Sequence, residues 1–406
     1  MENKSRAVVV IPTYNEAKTI GVLVKHLFLK TFPSIRKWNM EVLVVDGNSP
    51  DGTADIIREL KKDYSSLSLL VEKKKEGIGS AYFKGFEYAE KKMDADVLIE
   101  FDGDFQHPPE TIPLLLQKID DGADLVLGSR RVKGGSYPEQ WGLKRFFFSR
   151  VGGFLARFIL FFPTRNFFKV TDPTTGLKAT KTGEAFRTLD FRNFRSRDFG
   201  YKLEMLFYLM KEHINVAEIP LAFQLRNEGE SKLETGTPVH MLKTVVKLRI
   251  TDPATIRFVK FGMVGFLGYL VNAFGLEFFS RTKFVDYIAS NFVNRYIPVV
   301  WAVLEQRSAW AAAFATELAI ISNFVLNNAW TFKGRTILGF RTIKKFFHFN
   351  LTSFGAVFIQ FFAIGSATLL FGDVPLVRQM SLVLAIGFLV VPYNWVMYNK
   401  VIWKRS

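Results

Sequence analysis

Asp102 and Asp104 stand two residues apart in Asp102-Gly103-Asp104-Phe105-Gln106, between the apolar run Asp96–Phe101 and His107-Pro108-Pro109, which must turn. Two carboxylates at i and i+2 where a buried strand ends make a hard-oxygen site suited to Mg²⁺ or Mn²⁺. Such an ion is what a diphosphate group needs in order to depart as an anion. The same letters also spell an ordinary acidic turn. Their setting decides between the two.

Three other polar segments close apolar runs in the same way. Pro12-Thr13-Tyr14-Asn15-Glu16 ends Ala7–Pro12, Asp46-Gly47-Asn48-Ser49 ends Glu41–Asp46, and Gly128-Ser129-Arg130-Arg131 ends Asp124–Gly128. With Ser68–Glu72, these runs rich in Val, Ile and Leu predict five buried strands. Helical patterns fall between them, over Lys18–Leu29, Thr53–Leu60, Ser80–Lys92 and Glu110–Asp120. That alternation predicts a parallel sheet wrapped by helices, with ligands beyond the carboxyl ends of the strands. All four polar segments would meet there.

Composition sets the surroundings. Among 406 residues, 49% are hydrophobic and 42 are Phe, yet 23% are charged, which suggests a polar domain joined to a greasy one. No cysteine is present, so disulfides, thiolate metal sites and a Cys nucleophile are excluded. The net charge of +16 suits an anionic membrane surface, and nucleic acid is not the partner we expect. Met1–Arg6 is too short for a signal-peptide core, so a cytoplasmic location is expected for the first domain.

From about residue 253 the apolar stretches Ile256–Phe279, Ala309–Trp330, Phe346–Phe371 and Leu376–Trp403 are each long enough for a bilayer, which takes roughly 20 residues. Basic residues gather at their ends: Lys333, Arg335, Arg341, Lys344 and Lys345 in one connection, Lys404-Arg405 at the close. Four crossings would return the C-terminus to the cytoplasmic face of a cell membrane. Between the halves, Trp141–Phe162 mixes aromatics with Lys and Arg at helical spacing, and Arg150 and Arg157 interrupt its apolar part. A helix lying in the headgroup plane fits that pattern better than a span. The expected domains are therefore 1–240, with interfacial helices over about 139–168, and 253–406, a four-helix membrane domain.

Taken in order, several motifs resemble the inverting GT-A glycosyltransferases of the polyprenyl-phosphate glycosyl synthase group. They are Pro12–Glu16, Val45–Thr53, Gly77–Tyr82, Asp102–Pro108, Gly128–Arg130, Thr171–Gly176 and Arg226–Leu233. Residues Asn323-Phe324, Asn327 and Trp330-Thr331-Phe332 are similar to a GtrA-like membrane domain. The resemblance implies an α/β GT-A (Rossmann-like) catalytic domain and an all-α transmembrane domain. It further implies transfer of mannose from GDP-mannose to dolichyl (polyprenyl) phosphate at a lipid bilayer.

By the same resemblance Pro12, Tyr14, Glu16 and Asp46 line the nucleotide pocket. The group often has a second Asp where Gly47 stands, which would leave Asp46 to hold the base or ribose alone. Gly77 and Gly79 would allow close backbone approach to the ligand. Asp104 and Gln106 would ligate the Mg²⁺ or Mn²⁺ ion, with Asp102 at the metal, through a bound water, or toward the ribose. A phosphate monoester has a second pKa of about 6, so the acceptor is already anionic and needs cations rather than a general base. Arg130, Arg145, Arg226 and Lys232 are the candidates, with Ser149 as a neutral donor; Lys232 lies in a Gly- and Ser-flanked loop suited to closure.

Three other readings are open. The same fold could use UDP-glucose. A processive polysaccharide synthase would carry Gln-x-x-Arg-Trp, and Gln140-Trp141 lacks that spacing. A lipid carrier or flippase with a non-catalytic domain would have no need of Asp104 and Gln106. In the membrane half, Glu277 and Glu317 fall within or beside apolar spans, where an ionisable group is costly and pairing with Arg or Lys from a neighbouring helix is expected.

Overall fold

Seven strands form one sheet in the computed structural model, which describes residues 4–162, 164–225, 236–291, 299–331, 340–390 and 393. They are β1 (Arg6–Thr13), β2 (Asn39–Asp46), β3 (Leu67–Val71), β4 (Val97–Glu100), β5 (Leu125–Ser129), β6 (Lys178–Lys181) and β7 (Val216–Pro220). Their order across the sheet is β3-β2-β1-β4-β6-β5-β7. The five strands read from the sequence are present. The sheet is not wholly parallel, however, because β6 runs against both β4 and β5. Lys178-Ala179-Thr180-Lys181 lacks the branched apolar run that marks a buried strand, so sequence pattern missed it.

The reversal shapes the ligand edge of the sheet. An antiparallel strand starts where its neighbours end, so β6 delivers the segment before it, Thr171–Leu177, to the carboxyl edge of β4 and β5. Alternate strand residues then face opposite layers. Val8, Val10, Leu43 and Val45 pack against α3 (Ile78–Met93) and its neighbours, while Val9, Ile11, Val42 and Val44 pack on the other side. That other layer holds α1 (Ile20–His26), α2 (Thr53–Leu60) and α4 (Ile112–Asp120). Past β5 come α5 (Leu143–Ile159) and α6 (Arg165–Phe168); past β6 come α7 (Glu184–Arg187), α8 (Tyr201–Lys211) and, beyond β7, α9 (Thr237–Thr251).

Helix α5 leaves Leu143, Phe147, Phe154 and Phe158 exposed while Ala156 and Leu160 are buried in the core. That is an amphipathic helix presenting an aromatic face outward, the pattern of an interfacial helix.

A second compact unit begins at Asp252. It contains α10 (Pro253–Phe279), α11 (Lys283–Asn291), α12 (Arg307–Leu326), α13 (Phe340–Phe371) and α14 (Pro375–Ala385). Three helical segments, Pro253–Phe279, Arg307–Trp330 and Phe349–Phe371, are long and apolar enough to cross a membrane. The fourth predicted span begins as the shorter helical stretch Pro375–Val390, and most of its remainder lies outside the described residues. Burial is inverted relative to the first unit. Ala311, Ala312 and Ala315 are buried between helices, whereas Phe266, Phe274, Phe278 and Phe358 are exposed. Small residues between helices and large ones outward is the packing that lipid favours.

Several polar groups inside this bundle are paired, although Asn272 Oδ1, Asn323 Oδ1 and Asn327 Oδ1 are buried without a hydrogen-bond partner among the described residues. Gln360 Oε1 accepts from Asn272 Nδ2 at 2.7 Å and from Thr316 Oγ1 at 2.9 Å. Glu277 receives Arg378 through two bonds, Nε at 3.1 Å and Nη2 at 2.6 Å, and Glu317 accepts from the Asn350 amide rather than from a cation.

Helix α3 lies so close to the sheet that a Cβ on Gly85 would come within 2.6 Å of Val10 Cγ1 and 3.0 Å of Val45 Cγ2. Gly85→Val should therefore destabilise the first unit by about 1–3 kcal/mol, seen as a lowered melting temperature of the detergent-solubilised protein.

Candidate functional site

At the carboxyl edge of the sheet, the loops after β1, β2 and β4 each hold one non-glycine residue with positive φ: Asn15 at 55°, Asn48 at 59° and Phe105 at 61°. Asn tolerates this region through local hydrogen bonds, whereas Phe does so only under constraint, of order 1–2 kcal/mol. At Phe105 the constraint re-aims the chain between Asp104 and Gln106. Gln106 N donates to Asp104 Oδ1 at 3.1 Å, and Gln106 Nε2 donates to the Gln224 carbonyl at 3.4 Å. With its nitrogen so engaged, the Gln106 amide keeps its oxygen as an acceptor.

Asp102 sits over a buried floor. Its Oδ1 is 3.5 Å from the Tyr82 hydroxyl, and its Oδ2 is 3.6 Å from His107 Nε2. Asp102 N donates to His107 Nδ1 at 3.3 Å, which assigns the ring proton to Nε2, facing the carboxylate. Burial drives the His107 pKa down to about 4; Asp102 opposes that shift and the charges of Lys202 and Arg130 reinforce it. Among the described residues no three His, Cys, Asp or Glu side chains gather as a metal cage. Two carboxylates and an amide oxygen instead make the sparse hard-oxygen set that suits Mg²⁺ or Mn²⁺, ions that keep waters and take substrate phosphate oxygens. These residues fit such an ion.

Of the residues expected on the nucleotide side, several are already engaged. Asp46 is fully buried and accepts from Thr13 Oγ1 at 2.9 Å, Ser49 N at 2.8 Å and Ser49 Oγ at 2.7 Å. Its carboxylate thus holds the β2 loop in shape. Lys75 Nζ lies 4.2 Å from the Tyr14 ring centroid. A Cβ on Gly47 would stand 3.3 Å from Tyr14 Cδ2, so the small residue there lets the ring pack against the loop. Glu16 Oε2 accepts from Thr19 Oγ1 at 3.2 Å, and Pro12 is half-buried at the end of β1. The glycines at the start of α3 also serve the chain itself. Gly79 N donates to the Arg197 carbonyl at 2.7 Å, and a Cβ on Gly79 would collide with that same oxygen. The close approach is made by the chain itself.

Arg130 is likewise committed. Its Nε meets Asp172 Oδ2 at 2.6 Å, its Nη2 meets Asp172 Oδ1 at 2.8 Å, and its guanidinium lies 5.0 Å from the Tyr137 ring centroid. Burial alone would raise the Asp172 pKa, but the charge and hydrogen bonds of Arg130, with the charge of Arg131, together outweigh it and hold the carboxyl below its ordinary value. Glu218 on β7 fixes the same loop, accepting from Thr171 N at 2.7 Å, Thr171 Oγ1 at 2.6 Å and Asp172 N at 3.0 Å. Arg131 donates to the Ser149 carbonyl at 3.0 Å and the Thr171 carbonyl at 3.1 Å, tying α5 to this edge. Ser149 is half-buried on α5. Arg145 lies on the same helix, its side chain outside the described residues, as are Arg226 and Lys232 altogether.

Beneath the edge is a polar layer that sequence reading did not anticipate. Glu100 and Lys178 face each other across β4 and β6, Tyr201 donates to Glu100 Oε2 at 2.7 Å, and Lys178 Nζ donates to the Lys202 carbonyl at 3.2 Å. Burial lowers the Lys178 pKa to about 8, against the pull of Glu100 and with the push of Lys202. The available signal was a lysine in each of two otherwise buried runs, Leu177–Thr180 and Tyr201–Phe207.

Residues 8–173 match the family described as glycosyl transferase family 2, and residues 260–403 match the GtrA/DPMS transmembrane domain. Over 325 residues, 80% of each chain, the sequence is 33% identical to a dolichol-phosphate mannosyltransferase of Pyrococcus furiosus. The chain belongs to the dolichol- and polyprenol-phosphate mannosyltransferase family. An undecaprenyl-phosphate mannosyltransferase of Micrococcus luteus is 34% identical over 57% of this chain and 88% of its own. A polyprenol monophosphomannose synthase of Mycolicibacterium smegmatis is 31% identical over 56% and 81%. As a member of this family the chain is a glycosyltransferase with a membrane domain. The first family match takes in Asp46, Asp102–Gln106, Arg130 and Asp172, and it stops short of Lys178 and Lys202.

Buried charge here makes two measurable differences. Asp172→Asn leaves Arg130 buried without its counter-ion and should cost about 3–5 kcal/mol, measured as a fall in melting temperature; Arg130→Met with Asp172→Leu should cost less. Lys178 binds its proton less tightly folded than unfolded, so stability should rise between pH 8 and about 10.5, by at most ~1.4 kcal/mol per pH unit. Melting curves of Lys178→Met should lack that rise.

Proposed function

We propose that this chain transfers mannose from GDP-mannose to dolichyl (polyprenyl) phosphate with inversion, giving a β-linked mannosyl phosphate lipid and GDP. The observation that carries the reading is a hard-oxygen motif at a strand's carboxyl end in a chain related, through both of its halves, to an enzyme named for mannosyl transfer to dolichol phosphate. An oxygen of the lipid phosphate attacks the anomeric carbon of the sugar. The bond from that carbon to the donor's β-phosphate oxygen breaks, and its electron pair leaves with GDP. No proton has to move, because the attacking phosphate is already ionised.

Asp102, Asp104 and Gln106 would hold a Mg²⁺ or Mn²⁺ ion, which would supply positive charge for the departing diphosphate. Pro12, Tyr14, Glu16 and Asp46 shape the nucleotide pocket, with Gly79 setting the neighbouring loop against Arg197. Arg145 and Ser149 on α5 receive the acceptor phosphate, and Arg226 and Lys232 approach the donor diphosphate. Arg130 acts from a fixed position. Its pair with Asp172 holds the guanidinium beside the acceptor path and screens part of its charge. A guanidinium held in advance meets the already ionised acceptor phosphate without reorganising first.

The exposed aromatic face of α5 rests in the cytoplasmic leaflet, and the second unit crosses the membrane with four helices, leaving both termini cytoplasmic. Its role is to anchor the catalytic domain beside its lipid substrate.

Purified protein with Mn²⁺ and a short polyprenyl phosphate should convert GDP-mannose and leave UDP-glucose and UDP-GlcNAc unused. Asp104→Ala should lower kcat by at least about 100-fold, and a chelator should abolish turnover until Mn²⁺ is restored. Mannosyl transfer that survived Asp104→Ala would defeat the reading.

A further inference from the structure

Lys202 is 4% exposed, and among the described residues no acceptor lies within hydrogen-bond reach of its Nζ and no carboxylate forms an ion pair with it. Its surroundings show where that amino group points. A Cβ placed on Gly176 would lie 2.8 Å from Lys202 Nζ, 3.0 Å from His107 Cε1 and 3.2 Å from Asp102 Oδ2. Gly176 is therefore the bare spot on which the lysine, the buried histidine and the outer carboxylate of the acidic motif converge.

A cation so deeply buried is costly unless an anion comes to it. Its near neighbours do not supply one. Arg130 has already taken Asp172 through two bonds, and Glu100 is taken up by Tyr201 on one oxygen. Asp102 Oδ2 lies on the same side of Gly176 without closing to an ion pair. The α8 helix start holds the lysine in place, since the Lys202 carbonyl accepts from Lys178 and the adjacent Tyr201 hydroxyl is fixed on Glu100.

We infer that Lys202 is a phosphate-binding residue of the site, its Nζ donating to a phosphate oxygen of a bound substrate. This rests on the transfer reading and extends it to a cation beyond the glycosyl transferase family 2 match. The phosphate is either the donor's β-phosphate, which faces the acidic motif, or the acceptor's, which approaches past Arg130. Lys202 sits where the two would stand side by side.

The test measures equilibrium binding of two probes to the full chain in detergent: GDP with Mn²⁺, and farnesyl phosphate. Wild type, Lys202→Met and Lys202→Arg are compared, with Lys202→Gln beside them in case the methionine variant does not fold. Loss of a charged hydrogen bond should weaken the Kd of one probe by at least about tenfold, with Lys202→Arg recovering most of it. Weakened GDP binding assigns the lysine to the donor, and weakened farnesyl phosphate binding assigns it to the acceptor. Unchanged Kd values for both probes, in a folded variant of unaltered melting temperature, overturn the inference. So does a change in kcat alone. Failure of the transfer reading is separately visible: wild type would bind the probes and form no mannosyl lipid from GDP-mannose. Wild type that bound neither probe would overturn both.

Discussion

One reversed strand organises the catalytic edge. Because β6 enters between β4 and β5 from the ligand side, the turn Thr171–Gly176 is forced into the space between the acidic motif and the β5 end. A parallel strand in that place would have put a helix connection there and its own carboxyl end at the edge. The consequences are concrete. Asp172 can reach Arg130, Glu218 can hold the backbone of Thr171 and Asp172, and Gly176 can sit under Asp102. Each of these contacts joins residues far apart in the chain, and all of them require β6 to run backward.

That arrangement explains why charge in the site is paired unevenly. Arg130 and Asp172 neutralise each other in a buried bidentate contact, an arrangement that fixes position more than it adds stability. Lys178 faces Glu100 inside the sheet and is held by a backbone carbonyl. Lys202 alone among these buried side chains has no polar partner in the described residues. The layer under the site is thus nearly balanced, with one positive charge to spare on the side where anionic substrates arrive.

Much of the edge was legible from sequence because strand ends carry their polar residues in fixed order. Asp102–Gln106, Asp46 and Pro12–Glu16 all lie where alternation of strand and helix places them. What was not legible is of two kinds. β6 carries two lysines and a threonine in four residues, so no apolar run announces it. Pairing is the other kind: nothing in Gly128-Ser129-Arg130 says that the arginine is held by Asp172, and nothing around Gly79 says that Arg197 fills its space. In the membrane half, the reading that Glu277 would meet a cation agrees with the Arg378 contact, whereas Glu317 is served by an amide. Local sequence reports what a segment can do; which partner it meets is decided by topology.

The grip of Arg131 on α5 has a mechanical side. Its guanidinium reaches from the end of β5 to the carbonyls of Ser149 and Arg150, and α5 passes so near that Gly153 leaves room for it. Arg131 thus links α5, whose other face carries exposed aromatics, directly to the strand end that bears Arg130. Phe147, Phe154 and Phe158, exposed on that helix, are thereby fixed in position relative to the catalytic edge. The helix works as a ruler, and the reach of that one side chain helps set the spacing between its aromatic face and the end of β5.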